Sequence, residues 1–211
     1  MISKYENNYY ISVRYKINNG TIVNFLGVKY SFLGCISAKI AYTLCKYGVK
    51  EIIYVGKLGT FGSNEDLYNK IFSPTNYLIM YYDKVIKTVN NLQNNFAKQY
   101  GKYDTKTHVS VPTVLEEDLK QGRKARLLKT KSIDNEISQI AYAIDEYNKE
   151  QKTNISFAPI HFATDYIREA KDHKKSEIIY GLHNNRSSEL LIRKQRILNT
   201  ISEELWHYLN I

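Results

Sequence analysis

Residues 51–62 read EIIYVGKLGTFG, and this stretch decides the fold. Its first five residues are almost entirely apolar, which is typical of a short strand covered on both faces. Glycines follow at Gly56, Gly59 and Gly62, and we predict a loop over 56–62. Such glycines let backbone N–H groups approach an anion or a sugar closely. A tight turn from strand to helix explains the same residues, so the stretch alone does not indicate a ligand.

Predicted strands and helices alternate along the rest of the chain. Strands are expected over 9–17, 21–28, 70–80 (with a bulge or edge at Pro74), 107–111 and 155–163. Helices are expected over 32–47, 83–99, 115–128, 134–147 and 187–209. The length of 211 residues suits one domain. The pattern therefore predicts an α/β fold, in which a single three-layer domain over residues 1–211 has a central mixed β-sheet flanked by helices.

The composition excludes several classes of protein. No apolar run approaches the roughly 18 residues of a membrane span, and residues 1–10 lack the apolar segment of a signal peptide. We therefore expect a soluble, cytoplasmic protein with no membrane partner. The two cysteines, Cys35 and Cys45, lie too far apart along a predicted helix to form a disulfide. The formal net charge is +9, but the basic residues are scattered, so a solvated surface is favoured over nucleic-acid binding or attraction of a small anion.

Two further segments place acidic residues where ligands of α/β sheets bind, beyond the carboxyl ends of strands. In Asp134-Asn135-Glu136, capping and the helix dipole are the ordinary reason for acidic residues. The carboxylate of Glu136 can also accept hydrogen bonds from both hydroxyls of a vicinal diol. Asp165 follows a buried strand and is a candidate general acid, because a carboxyl group partly removed from water holds its proton more readily. A helix cap is the alternative for Asp165.

Taken in order, three segments resemble the nucleoside phosphorylase and nucleosidase superfamily. Residues 48–56 (GVKEIIYVG) resemble the strand before its glycine loop, 132–136 (SIDNE) are similar to its V-E-M-E signature, and 162–168 (FATDYIR) are similar to its V-S-D-H-I-R segment. The resemblance implies a purine nucleoside phosphorylase-like fold. It also implies an N-glycosidase or pentosyltransferase that cleaves the N-glycosidic bond of a purine-type nucleoside or nucleotide.

The resemblance also implies catalytic roles. Glu136 would hold the ribose 2′- and 3′-hydroxyls, and Asp165 would donate a proton to N7 of the leaving base. Arg186, directly before the predicted last helix, stands at a plausible place for the basic residue that assists this aspartate in hexameric members of the family.

The remaining residues of the implied substrate site surround these three. Gly56, Lys57 and Gly59 would bind the nucleophile or a sugar substituent. Asn135 stands where the family has a methionine that packs on the sugar, and Val114 and Leu115 stand where the family has an aromatic residue that stacks on the base. Thr164, directly before Asp165, completes the predicted site.

Departures from the family pattern leave the reaction open. The family's N-terminal phosphate-binding strand and its loop are missing, and Tyr54 and Lys57 replace the arginine and serine that flank the glycine loop. Water therefore competes with phosphate as the nucleophile. A non-catalytic nucleoside-binding or regulatory relative is the main alternative. A basic protein that binds nucleic acid or another partner is a lesser one.

The expected partners are small. A nucleoside or nucleotide is the expected ligand, and no cofactor is expected apart from inorganic phosphate as a candidate co-substrate. The histidines lack the spacing of a metal site, so no metal is expected. His108 and His161 are interpreted as core residues, with contact to a 5′-substituent as the alternative. The resemblance implies a homo-oligomer, either a dimer or a hexamer.

Overall fold

The computed structural model describes residues 1–30, 34–113, 119–167 and 188–210 of the chain. The strands are β1 (Ser3–Glu6), β2 (Tyr10–Lys16), β3 (Ile22–Val28), β4 (Glu51–Thr60), β5 (Ile71–Phe72), β6 (Asn76–Tyr81), β7 (Lys84–Val89), β8 (Thr107–Ser110), β9 (Ser132–Asp134) and β10 (Ser156–Tyr166). The α-helices are α1 (Cys35–Lys46), α2 (Asn95–Gln99), α3 (Leu119–Leu127), α4 (Ile137–Gln151) and α5 (Ser188–Leu209).

These elements divide into two compact units, one of residues 1–32 and 199–211 and the other of residues 33–198. The first unit contains the antiparallel sheet β1-β2-β3. Its β2 and β3 pair from Tyr10↔Val28 to Lys16↔Ile22, which confirms the hairpin predicted from the sequence. The single domain expected over residues 1–211 stays a prediction.

The second unit is built on a seven-stranded mixed sheet with the order β5-β10-β4-β9-β8-β6-β7. Strand β10 runs parallel to β4, whereas β9 is antiparallel to β4 and parallel to β8. Helix α4 packs on β6, β7, β8 and β10, and α1 packs on α4. The predicted α/β class with a central mixed sheet is therefore confirmed.

Two elements dominate the interior of this unit. Residues 156–164 of β10 are all buried, as expected of a central strand. Helix α4 buries Ile137, Ile140, Ala141 and Ile144 along one stripe, as its 3.6-residue periodicity predicts. The helix begins at Ile137 rather than at Asp134, because Asp134 is the last residue of β9.

The glycine loop predicted at 56–62 is wrong, because β4 continues through it to Thr60. Gly56 is paired with His161 of β10, and Gly59 lies between Asp165 of β10 and Ile133 of β9. A Cβ atom at Gly56 would stand 2.5 Å from Nε2 of His161. These glycines therefore allow close approach of neighbouring groups inside a sheet, which is the other common use of glycine in strands.

The helix predicted over 83–99 is also wrong. The chain forms the edge strand β7, then an irregular segment, and only then the short helix α2. The apolar residues Val85, Val89, Leu92 and Phe96 have helical spacing by coincidence, since the first two belong to the strand and Phe96 to the helix. The strand predicted over 70–80 is interrupted at residues 73–75 and forms β5 and β6.

Candidate functional site

A buried polar cluster lies where β8 and β9 run side by side. Its members are His108, Ser110, Ser132 and Asp134, which we call the capping cluster. In the parallel register His108 is opposite Ser132, and Ser110 is opposite Asp134. Side chains two residues apart on a strand share a face, so all four point to the same side. His108, Ser110 and Ser132 are fully buried.

Hydrogen bonds connect every member of the capping cluster. His108 lies 2.8 Å from Oγ of Ser132 through Nδ1 and 2.8 Å from Oδ1 of Asp134 through Nε2. The hydroxyl of Ser110 donates to the same carboxylate at 2.6 Å. Because an ionised carboxylate can only accept, the imidazole donates to Asp134 through Nε2. Burial acts to raise the pKa of Asp134, but His108 and the hydrogen bonds hold it below its ordinary value.

Asp134 also caps helix α4. Its Oδ1 accepts from the backbone N–H groups of Glu136 at 3.0 Å and Ile137 at 3.1 Å, and Ser110 accepts from the N–H of Ser138 at 2.8 Å. These bonds satisfy N–H groups that lack partners at any helix start. A capping role for the acidic residues here was predicted from the sequence, whereas the parts played by Ser110 and Ser132 were not. The alternating pairs H-x-S and S-x-D on two adjacent strands were the available signal.

Glu136 is the residue that the capping cluster holds at the start of α4. It occupies the N-cap position, but its own side chain makes no capping bond. Burial raises the pKa of the Glu136 carboxyl to about 7, and the negative charge of Asp134 adds to the rise, while the backbone N–H groups of Gly34 and Asn135 oppose it. A carboxyl group that titrates near neutrality in a partly buried position is a common mark of a functional site.

The raised pKa makes the stability of the fold depend on pH in a defined direction. Ionising Glu136 is harder in the folded chain, so its contribution lowers stability as pH rises from about 4.5 to about 7. We expect Glu136→Gln to stabilise the fold at pH 8 by on the order of 1 kcal/mol, after allowance for solvent screening of a partly exposed group. Urea unfolding at pH 8 and pH 4 measures this effect, which should vanish at pH 4. An equal change at both pH values, or a gain matched by exposed Glu65→Gln, would contradict it.

Tyr54, His161 and Gly56 form a second group beside Glu136. The rings of Tyr54 and His161 meet edge to face with their centroids 4.7 Å apart, and His161 occupies the space that a side chain at Gly56 would take. His161 is fully buried, and neither ring nitrogen has a hydrogen-bond partner in the described parts of the chain. Burial lowers the pKa of His161 to about 3, so the ring is neutral. His161 and Tyr54 each stand out in the sequence, but only the pairing of β4 with β10 brings them together.

Asp165 lies within β10 rather than after it, next to a register shift between Ala163 and Asp165. It is partly buried, and its carboxylate accepts a hydrogen bond of 2.7 Å from the hydroxyl of Thr164. Asp165 and Ile133 are both in register with Gly59, so they stand about 10 Å apart across two strand spacings. Glu136 follows Ile133 by three residues. Glu136 therefore lies just beyond the end of β9, a strand separated from β10 and Asp165 by β4 alone.

The other predicted site residues are distributed differently. Lys57 is exposed, and strand alternation directs it to the face of β4 opposite Tyr54 and Gly56. Asn135 is buried and donates its amide N–H to the carbonyl of Val111 at 3.0 Å, so its side chain stabilises the sheet end. Leu115 and Arg186 lie outside the described residues, and their roles stay predictions.

Two features are absent from the described residues, a metal-binding cluster and a helix able to span a membrane. In that part of the chain, no cluster of three or more His, Cys, Asp or Glu side chains is arranged to hold a metal ion. No helix among the described segments combines the length and apolar character needed to cross a membrane.

The chain has the fold of the nucleoside phosphorylases and nucleosidases. Its structure superposes on 5′-methylthioadenosine nucleosidase of Arabidopsis thaliana with a TM-score of 0.58, 12% identity and coverage of 94% of this chain and 86% of the other. For a futalosine hydrolase mutant of Helicobacter pylori the TM-score is 0.59 and the identity 9%, with coverage of 96% of this chain and 89% of the other. For a methylthioadenosine phosphorylase from an antarctic soil metagenomic library the TM-score is 0.59 and the identity 13%, with coverage of 98% of this chain and 78% of the other. The structural likeness confirms the predicted fold.

Sequence comparison adds a relative that is named as an oxidoreductase rather than as a nucleosidase or phosphorylase. The chain is 28% identical over 180 residues to oxidoreductase cns1 of Cordyceps militaris. The match covers 82% of this chain but 22% of the relative, so the chain spans about a fifth of that protein's length. No model of a known protein family matches the sequence.

Proposed function

We propose that this chain cleaves the N-glycosidic bond of a purine-type nucleoside or nucleotide, with water as the nucleophile. Glu136 is the observation that carries the proposal. Its backbone N–H donates to Asp134, which fixes the residue at the start of α4, in a fold shared with nucleosidases and phosphorylases. A carboxylate in this position has free acceptor sites for two ligand hydroxyls, which is the chemistry that a ribose diol requires.

Asp165 is the proposed proton donor. As the bond between C1′ of the ribose and N9 of the base breaks, its electron pair moves into the base, and N7 takes the proton of the Asp165 carboxyl group. Water then forms a bond to C1′ of the positively charged sugar and gives a proton back to Asp165. The products are the free base and the free sugar. Thr164 assists by orienting the carboxyl group of Asp165 through their 2.7 Å hydrogen bond.

The electrostatic surroundings of Glu136 support water rather than phosphate. Among the described residues, no lysine or arginine is a cause of the pKa shift of either Glu136 or Tyr54. Lys57, the cation predicted to meet an anion, points to the opposite face of β4. A phosphate dianion bound beside Glu136 would therefore meet a like charge without a compensating cation from these parts of the chain.

The experiment is release of free base from adenosine, 5′-methylthioadenosine and AMP, each with and without inorganic phosphate. Release that is independent of phosphate supports the hydrolytic proposal. Release that requires phosphate would replace it by phosphorolysis. Binding of these compounds without release would leave a nucleoside-binding protein, which is the second function considered. If the protein neither binds these compounds nor releases base from them, the proposal is overturned altogether.

A further inference from the structure

Strand β3 forms a free edge of the sheet in the first unit. In the described parts of the chain β3 pairs only with β2, and six of its seven residues are exposed. Four of these are apolar residues with 41–54% of their surface exposed, namely Ile22, Phe25, Leu26 and Val28. Such an edge presents unpaired backbone N–H and C=O groups beside apolar side chains, so it is a template for a further strand.

The other sheet edges in the described segments are protected in ways that β3 is not. Strand β1 has four residues, of which Lys4 and Glu6 are charged, and β5 has only two residues. Strand β7 carries Lys84 and Lys87, and its pairing with β6 contains a register shift. Short length, lysines and bulges are the usual devices that prevent pairing from edge to edge. Strand β3 has none of them, because its seven residues are uncharged and its register with β2 has no shift.

Hydrogen bonds at the two ends of the β2–β3 hairpin fix which backbone groups of β3 point outwards. The N–H of Ile17 donates to the carbonyl of Thr21, and the N–H of Lys29 donates to the carbonyl of Tyr9, both at 2.9 Å. Bonded residues alternate along an antiparallel strand, so the odd-numbered residues of β3 bond to β2. The outward N–H and C=O groups therefore belong to the even-numbered residues Ile22, Asn24, Leu26 and Val28.

This pattern is complementary to a second copy of itself. When two β3 strands meet antiparallel with Phe25 opposite Phe25 on a two-fold axis, Ile22 lies opposite Val28 and Asn24 lies opposite Leu26. Each of these pairs joins residues whose backbone groups point outwards, so every N–H and C=O group on the edge gains a partner. Because β3 has no charged side chain, two chains of net charge +9 meet here without repulsion between the paired residues.

We propose that the β3 edge is an interaction surface for a second copy of this chain, which joins two three-stranded sheets into one six-stranded sheet around a two-fold axis at Phe25. The interface closes on itself because both copies use the same strand. The outer edges of the joined sheet are then two copies of β1, whose short length and charges stop further growth. The assembly is therefore a dimer rather than a fibre, and this inference does not depend on the proposed function.

Sedimentation equilibrium of the 211-residue chain over a range of concentrations measures the association. Wild type is expected to reach twice the mass of one chain. Leu26→Lys replaces an apolar side chain by a charge on each copy of the edge, so it should raise the dissociation constant of the dimer at least about tenfold. The matched control is Ile86→Lys at an exposed position of β7, which should leave that constant unchanged. A monomeric wild type, or a dimer that Leu26→Lys weakens no more than Ile86→Lys does, overturns the proposal.

Disulfide cross-linking tests the register without weakening the dimer. Residues that face each other in a non-hydrogen-bonded antiparallel pair have Cα atoms about 4.5 Å apart, which a disulfide can span. In a Cys35→Ser background, which removes the exposed native cysteine, Phe25→Cys should give a cross-linked dimer under mild oxidation. Val23→Cys would lie opposite Gly27 in the proposed register and should not cross-link. Cross-linking at position 23 as readily as at position 25, or at neither position, overturns the proposed pairing.

Discussion

Asp165→Asn is expected to lower the rate of base release by a factor of about 10²–10⁴, the usual contribution of a general acid. Asparagine has nearly the same shape and can still accept the hydrogen bond from Thr164, but its amide cannot give up a proton to the base. Nucleoside affinity should therefore stay close to that of wild type. Single-turnover release of adenine, with protein in excess over adenosine, measures the chemical step separately from product release.

The matched control for this substitution is Asp83→Asn. Asp83 lies in the turn between β6 and β7 and pairs with Lys120 at 3.2 Å on the surface, so its loss should not affect turnover. If Asp165→Asn releases adenine as fast as wild type, Asp165 is not the proton donor. Glu136, whose pKa is raised to about 7, would then be the next carboxyl group to test.

Asp134→Ala is expected to destabilise the second unit by about 3–5 kcal/mol, the usual cost of removing one partner from a buried polar pair. The substitution leaves His108, Ser110 and the backbone N–H groups of Glu136 and Ile137 without their common acceptor. Urea unfolding followed by circular dichroism at pH 7 gives the free energy of unfolding. Asp83→Ala, at a half-exposed surface position, is the control and should leave that free energy nearly unchanged.

The pH dependence of the same variant gives an independent check. The folded state holds the pKa of Asp134 below its ordinary value of 3.8. Its stabilising contribution is therefore complete above pH 3.8 and is lost as pH falls through the folded-state pKa. Wild type should lose this part of its stability in acid, whereas Asp134→Ala should not. An Asp134→Ala variant as stable as wild type at pH 7 would show that the capping cluster does not hold α4.

Local patterns in the sequence predicted the elements that have a single clear periodicity. Helix α4 keeps one apolar stripe from Ile137 to Ile144, and β10 is mostly apolar over its buried residues 156–164, so both were predicted. The residues around Val85 and Val89 fit a helical pattern as well as a strand pattern. In the fold, however, Val85 and Val89 both pair with β6 at the edge of the sheet. That choice depends on a strand partner, which no local window contains.

The candidate site was predicted only in part, for a similar reason. Asp165 could be found because it comes at the end of an apolar strand, and Glu136 because it stands at a predicted helix start within a segment that resembles a family signature. The role of Gly56 could not, because its function is to admit His161, which lies 105 positions later in the chain and next to it only in the sheet. The glycines therefore suggested a loop, and the contact that explains them became visible only from strand pairing.

Binding of adenosine by wild type and by Glu136→Gln, measured by calorimetry at pH 8, tests the central claim most directly. The claim is that an ionised Glu136 at the start of α4 holds the ribose of a nucleoside. The expected result is that wild type binds adenosine and that Glu136→Gln binds it about 10- to 100-fold more weakly, because hydrogen bonds to a charged acceptor are lost. Glu65→Gln should bind like wild type. Equal affinity in Glu136→Gln and wild type, or no binding by wild type, would contradict the claim.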